Sequence, residues 1–221
     1  MKQVKILSKK NATHDVVQLR TQKPKDLSFL PGQAVDVSLN KPEWKEELRP
    51  FTFTSLPQDD YLEFHIKIYP EHDGVTEQIG KLRQNDSLSL GDVFGAIKYQ
   101  GEGVFIAGGA GVTPFISILR DLEKQNKMGH NKLLFANKTA DDIIEKELFN
   151  QLLGDNFVNV LSDEQKEGYE HGYITKDLIK AQIQNENSLF YLCGPPPMMD
   201  AVLKQLKELG IDKSKIIQEE F

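Results

Sequence analysis

The fold of this chain is decided by the stretch Ala107-Gly108-Gly109-Ala110-Gly111-Val112-Thr113-Pro114. An apolar run, Val104-Phe105-Ile106, precedes it, and apolar residues at helical spacing follow it. A buried strand that continues through glycines into a helix binds phosphate in many α/β proteins, because glycine lets the backbone approach the anion. Thr113 is predicted as the N-cap of the helix and Pro114 as its first residue. Taken alone, a tight turn without a ligand explains the stretch nearly as well.

Downstream of this stretch, predicted strands alternate with predicted helices. Strands are expected at 104–107, 132–136, 157–161, 189–193 and 215–218, and helices at 113–127, 141–153, 176–184 and 196–209. Gly210 is well placed to end the last helix. Short links between alternating strands and helices predict a parallel sheet that is covered on both faces.

The first hundred residues predict antiparallel β-structure instead. Short apolar or alternating runs at 4–6, 16–19, 34–39, 51–53, 62–69 and 88–90 are separated by turn-rich pieces. One short helix is expected at 75–82, and Gly91-Asp92-Val93-Phe94-Gly95 is interpreted as a turn. The predicted fold has two domains: an N-terminal antiparallel β-barrel with one short helix (1–99), then an α/β domain with a parallel sheet flanked by helices (100–221).

The composition excludes several classes of function. The net charge of −6 is spread over interleaved lysines and glutamates, so nucleic-acid binding has no electrostatic support. The longest uncharged stretch, 103–119, is too short and too rich in glycine for a membrane span. The single cysteine, Cys193, excludes an intramolecular disulfide and a cysteine-ligated cluster within this chain. We expect no metal site, no signal peptide and a cytoplasmic location.

Groups suited to a phosphorylated cofactor occur at three places in the β region. Arg49-Pro50-Phe51-Thr52 offers a cation, an aromatic ring and a hydroxyl, although, taken alone, an amphipathic strand with an ordinary surface arginine is the favoured interpretation. Further on, His65, Lys67 and Tyr69 share one strand face, for which a solvated face is the competing interpretation. Gly74-Val75-Thr76 then places a glycine and a hydroxyl at a helix N-terminus, a second anion site.

The last candidate stretch is Cys193-Gly194-Pro195-Pro196-Pro197-Met198-Met199, at the end of a predicted parallel strand. Ligands of open parallel sheets bind beyond the carboxyl ends of the strands, where Gly111 also lies. A lone buried cysteine usually serves packing, but three prolines beyond a strand end favour a rigid binding wall. Phe221 is either a frayed end or a lid.

Four motifs, taken in their order along the chain, together resemble those of the ferredoxin–NADP⁺ reductase superfamily. The resemblance covers nearly the whole chain. Arg49-Pro50-Phe51-Thr52 is similar to its R-x-[YF]-[ST] flavin motif, and Gly74-Val75-Thr76 to a shortened G-x-x-[ST] pyrophosphate turn. Gly109-Ala110-Gly111-Val112-Thr113-Pro114 is similar to its G-x-G-[IV]-[TA]-P nicotinamide-nucleotide turn, and Cys193-Gly194-Pro195-Pro196 to its C-G-P-P signature.

The resemblance implies a role for each stretch. Thr52 would bond near the flavin N5, Cys193 would lie beside the nicotinamide, and Phe221 would cover the flavin. The residues implied in flavin binding are Arg49, Pro50, Phe51, Thr52, His65, Lys67, Tyr69, Gly74, Val75 and Thr76. Those implied in nicotinamide-nucleotide binding are Gly109, Ala110, Gly111, Thr113, Pro114, Lys138, Gly194, Pro195 and Met198.

The implied function is hydride transfer from NADH or NADPH to bound FAD, and then electron transfer to a separate acceptor, either a redox protein such as a ferredoxin or flavodoxin or a small molecule. The shortened pyrophosphate turn leaves FMN open as the flavin. Lys138 offers a charge to a 2′-phosphate, but arginine is the better clamp and Gly172-Tyr173 stands where NADP-preferring members carry one, which favours NADH. The alternatives are a non-catalytic electron-transfer or regulatory subunit and a reductase of free flavin.

Overall fold

The computed structural model describes residues 1–219 of the 221-residue chain. Two six-stranded sheets follow one another along the sequence, the first antiparallel and the second parallel with helices on both faces. The predicted fold class is therefore confirmed. Phe221, the predicted lid, lies outside the described residues.

The first sheet is antiparallel throughout, with the strand order β4-β3-β6-β1-β2-β5. Its strands are β1 (Lys2–Asn11), β2 (Val16–Gln22), β3 (Ala34–Leu39), β4 (Arg49–Thr52), β5 (Tyr61–Lys67) and β6 (Ser87–Phe94), and one helix, α1 (Val75–Lys81), interrupts them. The two outer strands approach each other just beyond β4, where the Thr54 N–H donates to the Glu63 carbonyl at 2.8 Å. The sheet therefore curls toward a barrel around one apolar core.

Strand β5 is buried on both faces, which the sequence pattern alone does not show. Leu62, Phe64 and Ile66 enter the core of the first sheet. Glu63 and His65 point the opposite way and are also buried, because helices of the second unit cover them. Polar side chains at alternating positions of this strand therefore face a neighbouring part of the protein and not solvent.

The interpretation of 91–95 as a turn is wrong. Gly91 to Phe94 continue β6, since Val35 pairs with Val93 and Ala34 with Phe94 across a register shift in β3. Strand pairing outweighs the local turn propensity of glycine and aspartate here. The strand ends at Gly95, whose φ of +121° suits glycine alone.

The second sheet is parallel, with the strand order β10-β9-β8-β7-β11-β12. Its strands are β7 (Gly103–Gly108), β8 (Lys132–Asn137), β9 (Phe157–Leu161), β10 (Glu170–His171), β11 (Leu189–Cys193) and β12 (Ile216–Gln218). Its helices are α2 (Thr113–Lys124), α3 (Lys146–Leu153), α4 (Lys176–Gln182) and α5 (Pro196–Glu208). Helices α2 and α3 cover the face that meets the first sheet, and α4 and α5 cover the other. The chain order reverses between β7 and β11, and ligands of such sheets bind in the crevice at that point.

Three local predictions in this unit need correction. A 3₁₀ turn over Gly109–Val112 precedes α2, so Thr113 lies inside the first helical turn and Val112 holds the cap position. The predicted helix 141–153 is broken by Glu145, whose backbone is left-handed, into a 3₁₀ turn (Ala140–Asp142) and α3. The two-residue strand β10 was not predicted, because so short a strand has no periodicity. The predicted position of Gly210, directly beyond the end of α5, is confirmed, with φ +75°.

The predicted domain boundary at residues 99 and 100 stays a prediction. It falls in the link between β6 and β7, which joins the two sheets. Within residues 1–219, no helix is both long enough and apolar enough to cross a membrane. Below, the first sheet with α1 is called the N-terminal unit, and the second sheet with its helices the C-terminal unit.

Candidate functional site

Two loops meet at the point where the strand order of the second sheet reverses. Gly111, after β7, packs directly on the backbone after β11: a Cβ at this position would lie 2.4 Å from the Cys193 carbonyl oxygen and 2.7 Å from the Gly194 Cα. At Gly108, a Cβ would lie 2.6 Å from the Met198 sulfur. The backbone at Gly111 and the Pro195 ring, 2.9 Å from a Cβ at Gly108, leave no room for a side chain without displacement, so these glycines let the two loops pack into one surface.

Gly109 differs from its neighbours because it faces open space. Its φ is +52°, and a Cβ there would have no atom within 4 Å. Ala110 beside it is half-buried, and the Thr113 hydroxyl donates to the Ala110 carbonyl at 3.0 Å. The backbone of this turn is thus accessible to a ligand at the carboxyl end of β7, which is what a nucleotide phosphate requires.

The same turn lies against β5 of the N-terminal unit. The predicted nicotinamide turn and one of the predicted flavin strands therefore meet in space, although about 45 residues separate them in the sequence. The reversal point of the second sheet opens toward the first sheet.

Strand β4 presents the arginine motif at the outer edge of the first sheet. Arg49 and Pro50 are exposed, whereas Phe51 and Thr52 are half-buried. The Arg49 guanidinium donates to the neighbouring Leu48 carbonyl at 2.7 Å and lies 3.4 Å from Glu47. Within residues 1–219, the ladder of β4 is formed with β3 alone, and its other side approaches β5, which the chain reaches at Thr54.

The groups after β5 complete a set that suits a flavin dinucleotide. Tyr69 exposes 43% of its surface, and Gly74 caps α1 without any side-chain hydrogen bond, which leaves backbone N–H groups free at that helix start. Val75 is buried and Thr76 half-buried. A cation at Arg49, an exposed ring and a free helix N-terminus match the phosphates and rings of FAD. Lys67 differs from these groups because its charge is already paired: its ammonium lies 2.7 Å from the Asp15 carboxylate.

The His65 side chain belongs to a polar cluster that joins the two units. Its Nδ1 lies 3.0 Å from the Thr54 hydroxyl, and its Nε2 lies 2.9 Å from Glu145, the residue before α3. The imidazole is fully buried and directed at these partners. A contact between the His65 side chain and a flavin therefore has no support in this geometry, and only the backbone part of that prediction stays open.

A buried ion pair extends this cluster. The Glu63 carboxylate accepts from Arg20 of β2 at 2.8 Å and from Arg120 of α2 at 2.9 Å, and Arg120 also donates to the Thr54 carbonyl at 2.9 Å. We call this set the interface cluster: Arg20, Thr54, Glu63, His65, Arg120 and Glu145.

The two carboxylates of the interface cluster are held ionised. Burial acts to raise the pKa of Glu63, but the charge of Arg120 and the bond from Arg20 outweigh burial and hold this pKa below its usual range. The hydrogen bond with His65 lowers the pKa of Glu145. Since Glu63 pairs with Arg120 and His65 with Glu145 across the two units, the ionised cluster ties the units together.

Cys193 lies at the end of β11 with a thiol that holds its proton. Burial, together with the nearby Glu219 carboxylate, raises the pKa of Cys193 to about 12. A thiolate is the reactive form of cysteine, so the raised pKa disfavours nucleophilic chemistry of Cys193 at neutral pH. Its surroundings favour a role in shaping the wall of the crevice.

We expect Cys193 of the folded protein to react slowly with iodoacetamide from about pH 7 to about pH 9, where an ordinary cysteine of pKa ~8.5 becomes reactive. Because the folded pKa is raised, the thiolate appears only as the pH approaches 12. Mass spectrometry of labelling time courses measures this, with protein unfolded in guanidinium as the control. A folded-state rate with a midpoint near pH 8.5 would contradict the burial of the thiol.

The ends of β8 and β9 form an acidic rim around Lys138. The Lys138 side chain is exposed, and its carbonyl accepts from the Asp163 N–H at 2.9 Å. Glu164 accepts from the Ala140 N–H at 2.7 Å, and Asp142 accepts from the Thr139 hydroxyl at 2.8 Å. Two lysines, Lys138 and Lys166, therefore share this strand end with three carboxylates, and the Lys166 ammonium lies 3.7 Å from Glu164. The second strand of such a sheet binds an adenosine ribose at this end.

The absence of a metal site stays a prediction. His14, Asp15 and Asp142 bring their ligand atoms within 4.8 Å of one another, but Asp15 already pairs with Lys67, and His14 is exposed. Nothing else at this group indicates an ion.

Comparison with known proteins agrees with this arrangement. A family model described as an FAD-binding domain matches residues 1–128, and one described as an oxidoreductase NAD-binding domain matches residues 105–204. The reductase component (ferredoxin–NAD(P)⁺) of the naphthalene 1,2-dioxygenase system of Pseudomonas putida is 28% identical over 98% of this chain and 67% of its own length.

Two further relatives cover most of the chain. NADH-cytochrome b5 reductase 1 of Ajellomyces capsulatus (strain NAm1 / WU24) is 30% identical over 88% of this chain and 69% of its own length. The crystal structure of a ferredoxin NADP⁺ reductase from Neisseria gonorrhoeae with bound FAD and NADP superposes with a TM-score of 0.82, at 20% identity, over 99% of this chain and 97% of that one. The last likeness concerns the fold alone.

Proposed function

Because this chain belongs to the ferredoxin–NADP⁺ reductase superfamily, we propose that it passes electrons from NADH through FAD to a separate redox protein. It is an NAD(P)H-dependent flavin oxidoreductase with an FAD-binding and an NAD-binding region. The observation that carries the proposal is the contact between the Gly109–Val112 turn and β5, which brings the two cofactor regions together. When bound, the flavin accepts a hydride from the nicotinamide and releases electrons to the acceptor.

In this proposal, β4 and α1 hold the flavin. Arg49 binds a flavin phosphate, Phe51 packs against the ring system or its chain, and Thr52 offers its hydroxyl near N5. Arginine suits this role because its planar fork bonds two phosphate oxygens at once. The free N–H groups at Gly74-Val75-Thr76 contact the pyrophosphate, and the exposed Tyr69 ring supplies a stacking surface.

The crevice at the reversal point holds the nicotinamide nucleotide. Gly109 and Ala110 offer their backbone to a phosphate, and α2, which starts at Thr113-Pro114, directs its N-terminus at the same place. Cys193 forms the wall beside the nicotinamide, and Gly194, Pro195 and Met198 pack that wall against β7. Their contribution is orientation and exclusion of water, since the cofactors carry the chemistry.

The acidic rim supports a preference for NADH. Asp163 and Glu164 would repel a 2′-phosphate, and a carboxylate at such a strand end binds the ribose hydroxyls of NADH. The sequence has no arginine after Arg120, so the C-terminal unit beyond α2 lacks the residue that best holds a 2′-phosphate. Lys138 shares this strand end with three carboxylates and with Lys166, whose ammonium lies 3.7 Å from Glu164.

Anaerobic stopped-flow mixing tests this proposal. We expect NADH to reduce the bound flavin with a second-order rate constant at least about tenfold that of NADPH, equal to ~1.4 kcal/mol of discrimination. Mass spectrometry of the released flavin is expected to identify FAD. Equal or faster reduction by NADPH would reject the NADH preference.

The stopped-flow experiment and gel filtration together separate the alternatives. A flavin that stays oxidised with both nucleotides would favour a non-catalytic electron-transfer or regulatory subunit. Flavin that is lost on gel filtration would favour a reductase of free flavin. A protein acceptor is supported by the relatives named above, one of which reduces a ferredoxin and the other a cytochrome b5, according to their names.

A cytoplasmic location stays a prediction that rests on the single cysteine.

A further inference from the structure

Glu145 adopts a backbone conformation that its residue type disfavours. Among residues 1–219, four non-glycine residues have positive φ: Asp73, Asn85, Asn126 and Glu145. Aspartate and asparagine tolerate this region because their short side chains bond locally, whereas a glutamate gains no such bond. The backbone of Glu145, at φ 53° and ψ 36°, is therefore strained, and contacts of its side chain must compensate for this strain.

The Glu145 side chain reaches into the other unit. Its Oε1 lies 2.9 Å from His65 Nε2 and accepts from the Gln18 amide at 3.2 Å, and both partners belong to the N-terminal unit. Within the C-terminal unit, Glu145 is the residue that caps α3. The strained backbone thus aims a carboxylate from the start of α3 at strands β2 and β5.

A second contact ties the middle of α2 to β5 and to the segment after β4. Helix α2 leaves the nucleotide turn at Thr113, and two turns later Arg120 donates to Glu63 and to the Thr54 carbonyl. Thr54 follows β4 by two residues, so this bond reaches the segment directly after Thr52. Arg120 and Glu145 therefore hold the nicotinamide side of the crevice against the flavin side at two points.

We propose that Glu145 and Arg120 are positioning residues that fix the nicotinamide-binding turn at the distance and angle from the flavin strands that hydride transfer requires. The proposal rests on the proposed function. Neither residue needs to touch a cofactor, because each acts through His65, Thr54 and Glu63. Small errors of placement reduce transfer rates strongly, since the reacting atoms must approach in one orientation.

The main test is Glu145→Gly in the FAD-loaded protein. Glycine accepts the left-handed backbone and removes the carboxylate, so the turn before α3 is kept while the contact with His65 is lost. We expect the rate constant of flavin reduction at saturating NADH to decrease about 10- to 100-fold. The dissociation constant of NADH is expected to stay within about twofold, because the nucleotide contacts lie within the C-terminal unit.

Two further measurements do not depend on turnover. The long-wavelength absorption of a stacked flavin–nicotinamide pair is expected to weaken in Glu145→Gly with bound NAD⁺ and reduced flavin. Calorimetry of the FAD-free protein is expected to show one unfolding transition for the parent chain and two for the variant, as the units become less firmly joined.

The matched control is Asn126→Gly. Asn126 has nearly the same backbone, with φ 55°, is exposed and makes no contact with the N-terminal unit that the structure records. Its replacement is expected to leave the rate constant and the absorption unchanged. Glu145→Gln is the conservative variant, because it retains an oxygen for the His65 N–H, and a rate between those of the parent and Glu145→Gly is expected.

Three results would overturn the proposal. Reduction of Glu145→Gly and Arg120→Leu at the parental rate would show that the contacts only stabilise the fold, even if the unfolding temperature falls. A rate loss that follows loss of bound FAD, or a rise in the NADH dissociation constant, would assign Glu145 to cofactor binding. An equal loss in Asn126→Gly would assign the effect to backbone conformation. Failure of the proposed function is distinct, because NADH would then leave the parent protein oxidised.

Discussion

Replacement of Gly111 with alanine is expected to raise the dissociation constant of NADH about 10- to 100-fold while the FAD content stays unchanged. The added Cβ would lie 2.4 Å from the Cys193 oxygen and 2.6 Å from the Cys193 carbonyl carbon, so the two loops must separate. Overpacking of this kind costs about 1–3 kcal/mol, and each ~1.4 kcal/mol corresponds to a tenfold change in affinity. The neighbouring atoms are backbone, which cannot change rotamer to make room.

Stopped-flow titration measures the affinity, urea unfolding measures stability, and flavin absorbance measures FAD content. Gly210→Ala is the control, because a Cβ at Gly210 meets no atom within 4 Å and the residue lies beyond α5, so this change tests backbone strain at φ +75° without overpacking. We expect that control to lose about 1 kcal/mol of stability and no NADH affinity. Loss of FAD from Gly111→Ala, with NADH affinity unchanged, would mean that the turn serves the flavin.

Replacement of Arg49 with alanine is expected to raise the dissociation constant of FAD about 10- to 100-fold. A hydrogen bond to a charged group contributes about 1.5–3 kcal/mol, and Arg49 is the cation that β4 offers to a flavin phosphate. The free energy of unfolding of the FAD-free protein is expected to change by less than ~0.5 kcal/mol, because the guanidinium is exposed and bonds only Leu48 and Glu47.

Fluorescence titration of the FAD-free protein with FAD measures this affinity. Arg83→Ala is the control, since Arg83 is likewise exposed on the N-terminal unit but lies outside the flavin-binding stretches. Arg49→Lys is expected to recover part of the affinity, because lysine keeps the charge and loses the planar fork. An unchanged FAD affinity in Arg49→Ala would remove Arg49 from the flavin site.

The repeating elements of the fold were predictable because periodicity reports which face is buried. The alternation of strands and helices after Gly103 gave the parallel sheet, and the short runs before Gly91 gave the antiparallel one. Predictions failed where tertiary contacts outweigh local preference. Residues 91–94 look like a turn and continue β6 because β3 pairs with them, and Glu145 breaks a predicted helix because its side chain reaches the other unit.

The candidate site was predictable where a motif is contiguous, as at Arg49-Pro50-Phe51-Thr52 and Gly109-Ala110-Gly111. The interface cluster was not, because Arg120 and Glu145 meet Glu63 and His65 only after the two units pack. The sequence did contain a signal. Glu63 and His65 alternate with Leu62, Phe64 and Ile66, so one face of this strand is apolar and the other carries titratable side chains. Such side chains are rarely buried unless they are paired, so their burial here requires partners from elsewhere in the chain.

The interface cluster also affects chimeras in which the two halves come from different reductases of this kind. A chimera that joins residues 1–99 to the nucleotide-binding half of a relative inherits Glu63 and His65 but receives whatever residues the donor has in place of Arg120 and Glu145. A fully buried carboxylate would then lack its partner from the other half, which is costlier than losing a surface pair. We therefore expect such chimeras to fold best when the nucleotide-binding half carries an arginine at the position of Arg120 and a glutamate at the position of Glu145.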